Sequence, residues 1–380
     1  MFSTRVAGLD FLRGIFILMA IFQHYTGYLN YWYIDFFHHE QAYHQGVYDS
    51  HLPMLGKFNP MDELSRMLAM YLIPWVSQIY LMLAAFNLAL RDQQASRTVM
   101  WNKLRLLGAL LLVFVLEGFL ISPSLGEALS FYPQMLWMIL LALFCVVYSY
   151  AGVRGMLALA VLAVSAPWLL TGDPFAAFEG WMQANIHPAY EFDARVDLFA
   201  ASGALGFLYG WLWAHRPYQR AALNYWVLAI SASCLALYFY SGESPQLSAE
   251  DIYSAEHELA LSFSGLLGIL GMEFGVVALV LILHERGIAL CWRPLNWIGF
   301  YSLTVFIFHK VLFIHLFGPV LQWVTARLDT TMPNNFFLNA FLVLCAVAAA
   351  WVIKRSGVVD RLTGSSQDGQ WERLCQAWRR

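Results

Sequence analysis

The run Ala7-Gly-Leu-Asp-Phe-Leu-Arg13-Gly-Ile-Phe-Ile-Leu-Met-Ala-Ile-Phe-Gln-His24-Tyr-Thr-Gly-Tyr-Leu29 decides the class of fold. From Gly14 to Phe22 it holds no polar side chain. At ~1.5 Å of rise per residue the whole run matches a hydrocarbon layer ~30 Å thick. It is too long for the apolar core of a signal peptide and no Ala-x-Ala pattern follows, so it is expected to stay in the chain as a signal anchor. Further along, apolar runs of about twenty residues alternate with short polar stretches, the length that spans a bilayer.

Of the 380 residues, 60% are hydrophobic and 12% charged, with a mean hydropathy of +0.56. A soluble domain carries about 25% charged residues, so half of the usual charge is absent. No linker or shift in composition divides the chain. One all-α polytopic bundle is therefore expected, with helices at 7–29, 66–90, 103–122, 131–150, 154–171, 197–214, 221–240, 259–283, 295–318 and 335–353. These ten form a transmembrane domain over 1–355, followed by a cytoplasmic tail over 356–380. The end of the tail, Trp371 to Arg380, reads as a short amphipathic helix on the inner leaflet or as a frayed terminus.

Lysine and arginine set the orientation. With both termini inside, 17 of the 22 fall on the cytoplasmic side: Arg5, Arg13, Arg91, Arg97, Lys103, Arg105, Arg154, Arg216, Arg220, Arg286, Arg293, Lys354, Arg355, Arg361, Arg373, Arg379 and Arg380. The other five, Lys57, Arg66, Arg195, Lys310 and Arg327, fall outside or in the outer half. Long polar loops at about 30–65, 172–196 and 241–258, with a shorter one near 319–334, then face outward, where long loops commonly carry function. Gly203, Gly206 and Gly210, and Gly265, Gly268, Gly271 and Gly275, recur at helical spacing and read as sites of close helix packing.

Several classes of function lose support here. A net charge of −3 with no long basic stretch gives nucleic acid nothing to bind. The five cysteines have no metal-ligand spacing and read as reduced thiols. The first outer loop holds His38, His39, Glu40, His44, Asp49 and His51, but no pair has diagnostic spacing, and no metal is expected. Tyr25, Tyr28, Tyr31, Trp32 and Tyr33, at the outer end of the first helix, read as interfacial anchors or as a platform for sugar rings.

Ionisable groups inside a membrane are costly and point to function. Four stand out: His24, Glu117, Glu273 and His309. His24 lies eleven residues beyond Arg13, roughly 16 Å higher in the bilayer. Glu117 and His309 are expected at a similar level in the outer half, and Glu273 nearer the midplane. Asp10 is expected to pair with an inner-face arginine rather than to take part in chemistry.

The opening, with its Leu9-Asp-Phe-Leu-Arg13-Gly run and His24 three turns on, resembles the first helix of acyltransferase family three. Heparan-glucosaminide N-acetyltransferase-like families share the opening but usually have asparagine where His24 stands. Leu295-Asn-Trp-Ile-Gly299-Phe-Tyr-Ser302-Leu-Thr-Val-Phe-Ile-Phe-His309 is similar to the family's late helix, with Gly-x-x-Ser and a downstream histidine. The family's Ser-Gly pair and Arg-x-x-Arg after helix two are replaced by Leu83-Ala-Ala-Phe86 and the spaced Arg91, Arg97, Lys103 and Arg105.

The resemblance implies a membrane-bound O-acyltransferase of the plasma membrane, the inner membrane in a bacterium. Its donor is acetyl-CoA or another acyl-CoA from the cytoplasm, with no permanently bound cofactor. The acceptor is a hydroxyl of an extracytoplasmic glycan or lipid-linked sugar. Arg13, Arg97, Lys103 and Arg105 would hold the donor's phosphates. His24 would act as general base, with Glu117 or Glu273 orienting it and His309 as a further candidate. Direct transfer and a transient acyl-histidine both remain open. Two other classes compete: a proton-coupled transporter, and a non-catalytic subunit of a larger membrane assembly.

Overall fold

The computed structural model describes residues 6–29, 62–90, 97–121, 133–169, 176–185, 196–241, 263–329 and 332–357. Most of the first outer loop, the third, and the Trp371–Arg380 segment lie outside these residues. Among the described residues the regular structure is helical and no strand is present. The helices are α1 (Ala7–Tyr28), α2 (Glu63–Leu90), α3 (Arg97–Ile121), α4 (Pro133–Leu169), α5 (Ala176–Asn185) and α6 (Val196–His215). They continue with α7 (Arg220–Tyr240), α8 (Phe263–Glu285), α9 (Arg293–Phe300), α10 (Ser302–Leu312), α11 (Gly318–Leu328) and α12 (Phe336–Arg355). The short α5 falls inside what was expected to be an outer loop.

Six described stretches are long and apolar enough to cross a bilayer: Ala7–Thr26, Met135–Ala166, Pro217–Tyr240, Ser264–Glu285, Thr304–Leu328 and Phe336–Arg355. Their outward faces are apolar. On α12, Phe337, Phe341, Leu344 and Val352 are all exposed, the arrangement lipid requires and water penalises. This is an integral membrane protein.

The second stretch is not a single rod. Gly152 takes φ 60°, ψ −154° inside α4, which a residue with a Cβ adopts only under strain. A Cβ placed on Gly155 would come within 3.0 Å of Val147 Cγ1. Along a straight helix those residues would be roughly 12 Å apart. The chain therefore doubles back at Gly152, and the expected division into two helices near this point holds.

The helices fall into two compact units. One comprises Met1–Leu9, Met70–Gly118 and Ser124–Leu290. Within it α7 packs along α8 and α4 along α6. The glycine stripe of α6 explains how α2 comes so near: a Cβ on Gly206 would lie 2.7 Å from the Met82 carbonyl oxygen, and one on Gly210 2.9 Å from Phe86 Cα. On α8, Gly271 meets the Ser231 carbonyl of α7 in the same way. Between α6 and α7 the Arg220 guanidinium lies 3.8 Å over the Trp213 ring, a cation resting on an aromatic face.

The other unit comprises Asp10–Ala69, Phe119–Pro123 and Cys291–Arg380. Here the late helix departs from expectation. It breaks at Tyr301, between α9 and α10, and relaxes into a π-helical turn at Phe313–Phe317. It then runs on as α11 to Leu328 rather than ending near 318. Pro319 follows directly on the π-helical turn, in the first turn of α11, and the helix passes through it. At the far end Asp62 ties two helix starts together. Its carboxylate accepts from the Ser65 amide of α2 at 2.9 Å and the Phe336 amide of α12 at 3.2 Å.

Candidate active site

In the second unit the backbones of α1 and α9 touch. A Cβ on Gly14 would overlap the Leu295 carbonyl, and one on Gly299 would overlap the Asp10 carbonyl. These two glycines belong to the two sequence runs singled out above, and each is small because the other helix occupies its Cβ space. His24 lies ten residues beyond Gly14 along unbroken α1, roughly 15 Å from the contact. His309 lies ten residues beyond Gly299, past the break at Tyr301 and on α10.

The two imidazoles meet there. His24 Nδ1 is 2.8 Å from His309 Nε2, and the rings lie edge to edge, 26° from coplanar, with centroids 5.0 Å apart. The other nitrogen of His309, Nδ1, bonds to the Phe306 carbonyl one turn back. Tyr25 donates its hydroxyl to the His309 carbonyl at 2.9 Å and packs its ring against Phe313. His309, Tyr25 and the neighbouring Lys310 are buried, whereas His24 is half-buried. Tyr25 therefore does not serve as an interfacial anchor: the ~100° of rotation from His24 to Tyr25 turns it into the helix packing.

The remaining candidates divide. Arg13 donates from Nη1 to the buried Asp10 carboxylate at 3.1 Å, the pairing expected for Asp10. The guanidinium has five N–H donors, and this bond uses one of them. Lys103 and Arg105 sit two residues apart on α3, so they point about 200° apart around it. The half-burial of one and the exposure of the other reflect that. Arg97 begins the same helix, and its side chain is outside the described set.

Glu117 on α3 and Glu273 on α8 are both buried, and both belong to the first unit. Among the described residues neither oxygen of Glu273 has a hydrogen-bond partner of ordinary geometry, nor does the buried Ser202 hydroxyl that interacts with it. A second histidine, His309, is in hydrogen-bond contact with His24. No letter in the sequence signals the Phe306 carbonyl, because a backbone group carries none.

Among the described residues no group of three or more His, Cys, Asp or Glu is placed to hold a metal. Set against known proteins, the chain matches no family model and no curated protein.

Proposed function

We propose that the chain is a membrane-bound O-acyltransferase. It takes an acyl group, acetyl in the simplest case, from cytoplasmic acyl-CoA and gives it to a hydroxyl of an extracytoplasmic glycan or lipid-linked sugar. In this reading ten helices cross the membrane and both termini are cytoplasmic. The observation that carries it is the His24–His309 imidazole pair, with His24 roughly 15 Å along α1 from its close contact with α9. A proton acceptor at that depth serves a donor arriving from the side of Arg13 and an acceptor hydroxyl arriving from the other.

The hydroxyl oxygen attacks the thioester carbonyl as its proton passes to an imidazole nitrogen of His24. The C–S bond then breaks, and the thiolate takes a proton to leave as the free thiol. Arg13, together with Lys103, Arg105 and Arg97 of α3, supplies cations for the phosphates. Glu117 remains a candidate to stabilise charge.

The test is transfer from radiolabelled acetyl-CoA to endogenous glycolipid in membranes. His24→Ala is expected to insert and bind acyl-CoA, yet to lose roughly 10²–10⁴-fold in rate. His24→Asn keeps a hydrogen bond without a proton acceptor and should fall as far. Wild-type transfer by the asparagine variant would end the role of His24 as base.

A second reading, a proton-coupled transporter, draws on Glu273, buried without a partner of ordinary geometry among the described residues. Proton flux into proteoliposomes that stops in Glu273→Gln, with no acyl-CoA binding, would favour it.

A further inference from the structure

We infer that His309 is a positioning residue that selects which nitrogen of His24 carries the reactive lone pair; the inference rests on the acyltransferase reading for its kinetic consequence, though not for its structural one. The chain of hydrogen bonds fixes the protons in order. The Phe306 carbonyl can only accept, so the nitrogen facing it, His309 Nδ1, carries a hydrogen. In a neutral imidazole the other nitrogen is then the acceptor. That nitrogen, His309 Nε2, lies 2.8 Å from His24 Nδ1, which must therefore be the donor. His24 Nε2 is left with the lone pair.

The rest of the local structure keeps this order from reversing. The Tyr25 hydroxyl pins the His309 carbonyl and the Phe313 ring packs on Tyr25, so the helix that carries His309 is fixed beside α1. The tilted contact with the Phe306 ring at 4.7 Å and the near-coplanar, edge-to-edge approach of His24 hold the ring of His309 in line with its two bonds. His309 is buried and His24 half-buried, so the member of the pair that meets a substrate is His24.

When His24 Nε2 takes the hydroxyl proton, the ring becomes an imidazolium. Its Nδ1–H bond to His309 Nε2 becomes charge-assisted and strengthens. The aspartate of a serine-protease triad does the same work, setting the tautomer and steadying the cation. Here a neutral ring does it through a backbone carbonyl, in place of a carboxylate.

Ring-¹⁵N histidine NMR on the full chain in nanodiscs tests the structural half, with the His24 signals identified by their loss in His24→Asn. We expect the wild type at neutral pH to hold His24 as the Nδ1–H tautomer. His309→Ala should release it to a mixture dominated by Nε2–H. His309→Gln offers a side-chain carbonyl near the position of Nε2 and should restore the Nδ1–H form. Kinetics test the other half: His309→Ala should lose between about 10-fold and ~10³-fold in kcat with KM for acetyl-CoA unchanged, and His309→Gln should recover most of it.

A wild-type His24 protonated at Nε2, or a tautomer untouched in His309→Ala, overturns the inference whatever the transfer assay gives. A matching fall in kcat for His309→Ala and His309→Gln overturns it equally, since glutamine keeps the acceptor. The NMR reads the resting protein. If His24 is Nδ1–H but no acyl transfer is found, the acyltransferase reading fails while the assignment of the pair stands.

Discussion

A histidine three turns above an arginine reads the same on paper whether it acts or merely packs; what separates the two is the partner of its second nitrogen. Arg13, His24 and His309 were legible because an ionisable group in an apolar run has few reasons to be there. Their pairing was not, since it depends on the register of two helices 285 residues apart in sequence. At this scale the cofactor proposal has its own test. Arg105 is exposed in the first half of α3, so Arg105→Glu should leave folding intact. A charge-assisted phosphate contact is worth ~1.5–3 kcal/mol, so acyl-CoA binding measured by calorimetry should weaken tenfold or more. Unchanged affinity removes Arg105 from the site. Asp62, outside the spans, gives a pH prediction. Partial burial works against its charge, but hydrogen bonds from Ser65 and Phe336 outweigh this and hold the carboxyl below its ordinary value. With the folded pKa lowered, the stability it adds is present above the unfolded value of ~3.9 and is lost as pH falls through the lower folded value. A melting curve of the wild type should therefore decline over that acid range more steeply than that of Asp62→Asn, which cannot ionise. Parallel declines would assign the acid limb to other groups.

Most helices were legible to within a few residues, because apolar length is a property of the sequence itself, though α3 begins six residues earlier than expected and α5 was not expected. What escaped was how they break. The interruption at Tyr301, the π-helical turn at Phe313–Phe317 and the continuation of α11 past Pro319 have no hydropathy signature, because a bent helix is as apolar as a straight one. Gly203, Gly206, Gly210 and Gly271 were read correctly as packing positions, and the structure adds which residues each one admits. Gly206 and Gly108 make a matched test. At Gly206 a Cβ would lie 2.7 Å from the Met82 carbonyl oxygen, a backbone atom with nowhere to go, while at Gly108 nothing lies within 4 Å. Gly206→Ala should therefore cost about 1–3 kcal/mol through overpacking. Gly108→Ala, in the exposed interior of α3, should be neutral or slightly stabilising, since alanine favours helix by about 1 kcal/mol. Unfolding in detergent, followed by tryptophan fluorescence, separates them. Equal stability of the two variants would mean that α2 and α6 are not in backbone contact.

For the molecule as a whole, the side on which every later segment lies turns on one residue. Met135–Ala166 is 32 residues long, or roughly 48 Å as a straight helix, half as long again as a ~30 Å hydrocarbon core. Read as a single tilted crossing, it would send Arg216, Arg220, Arg286 and Arg293 to the outer face and destroy the division of basic residues. Read as a hairpin folded at Gly152, it returns the chain to the side from which it came. The backbone of Gly152 and the nearness of Gly155 to Val147 support the hairpin, with the exposed Arg154 at its turn. The basic residues, counted independently of any structure, require the same parity. A phosphatase active only when exported, fused after Gly172 or Gly242, should therefore be active, and fused after Gln94, Arg154 or Arg216 it should be silent. Activity after Arg154 together with silence after Gly172 would mean a single crossing. The loops near 172–196 and 241–258 would then face the cytoplasm, and an acceptor hydroxyl arriving from the opposite side to the acyl donor would have to be abandoned with them.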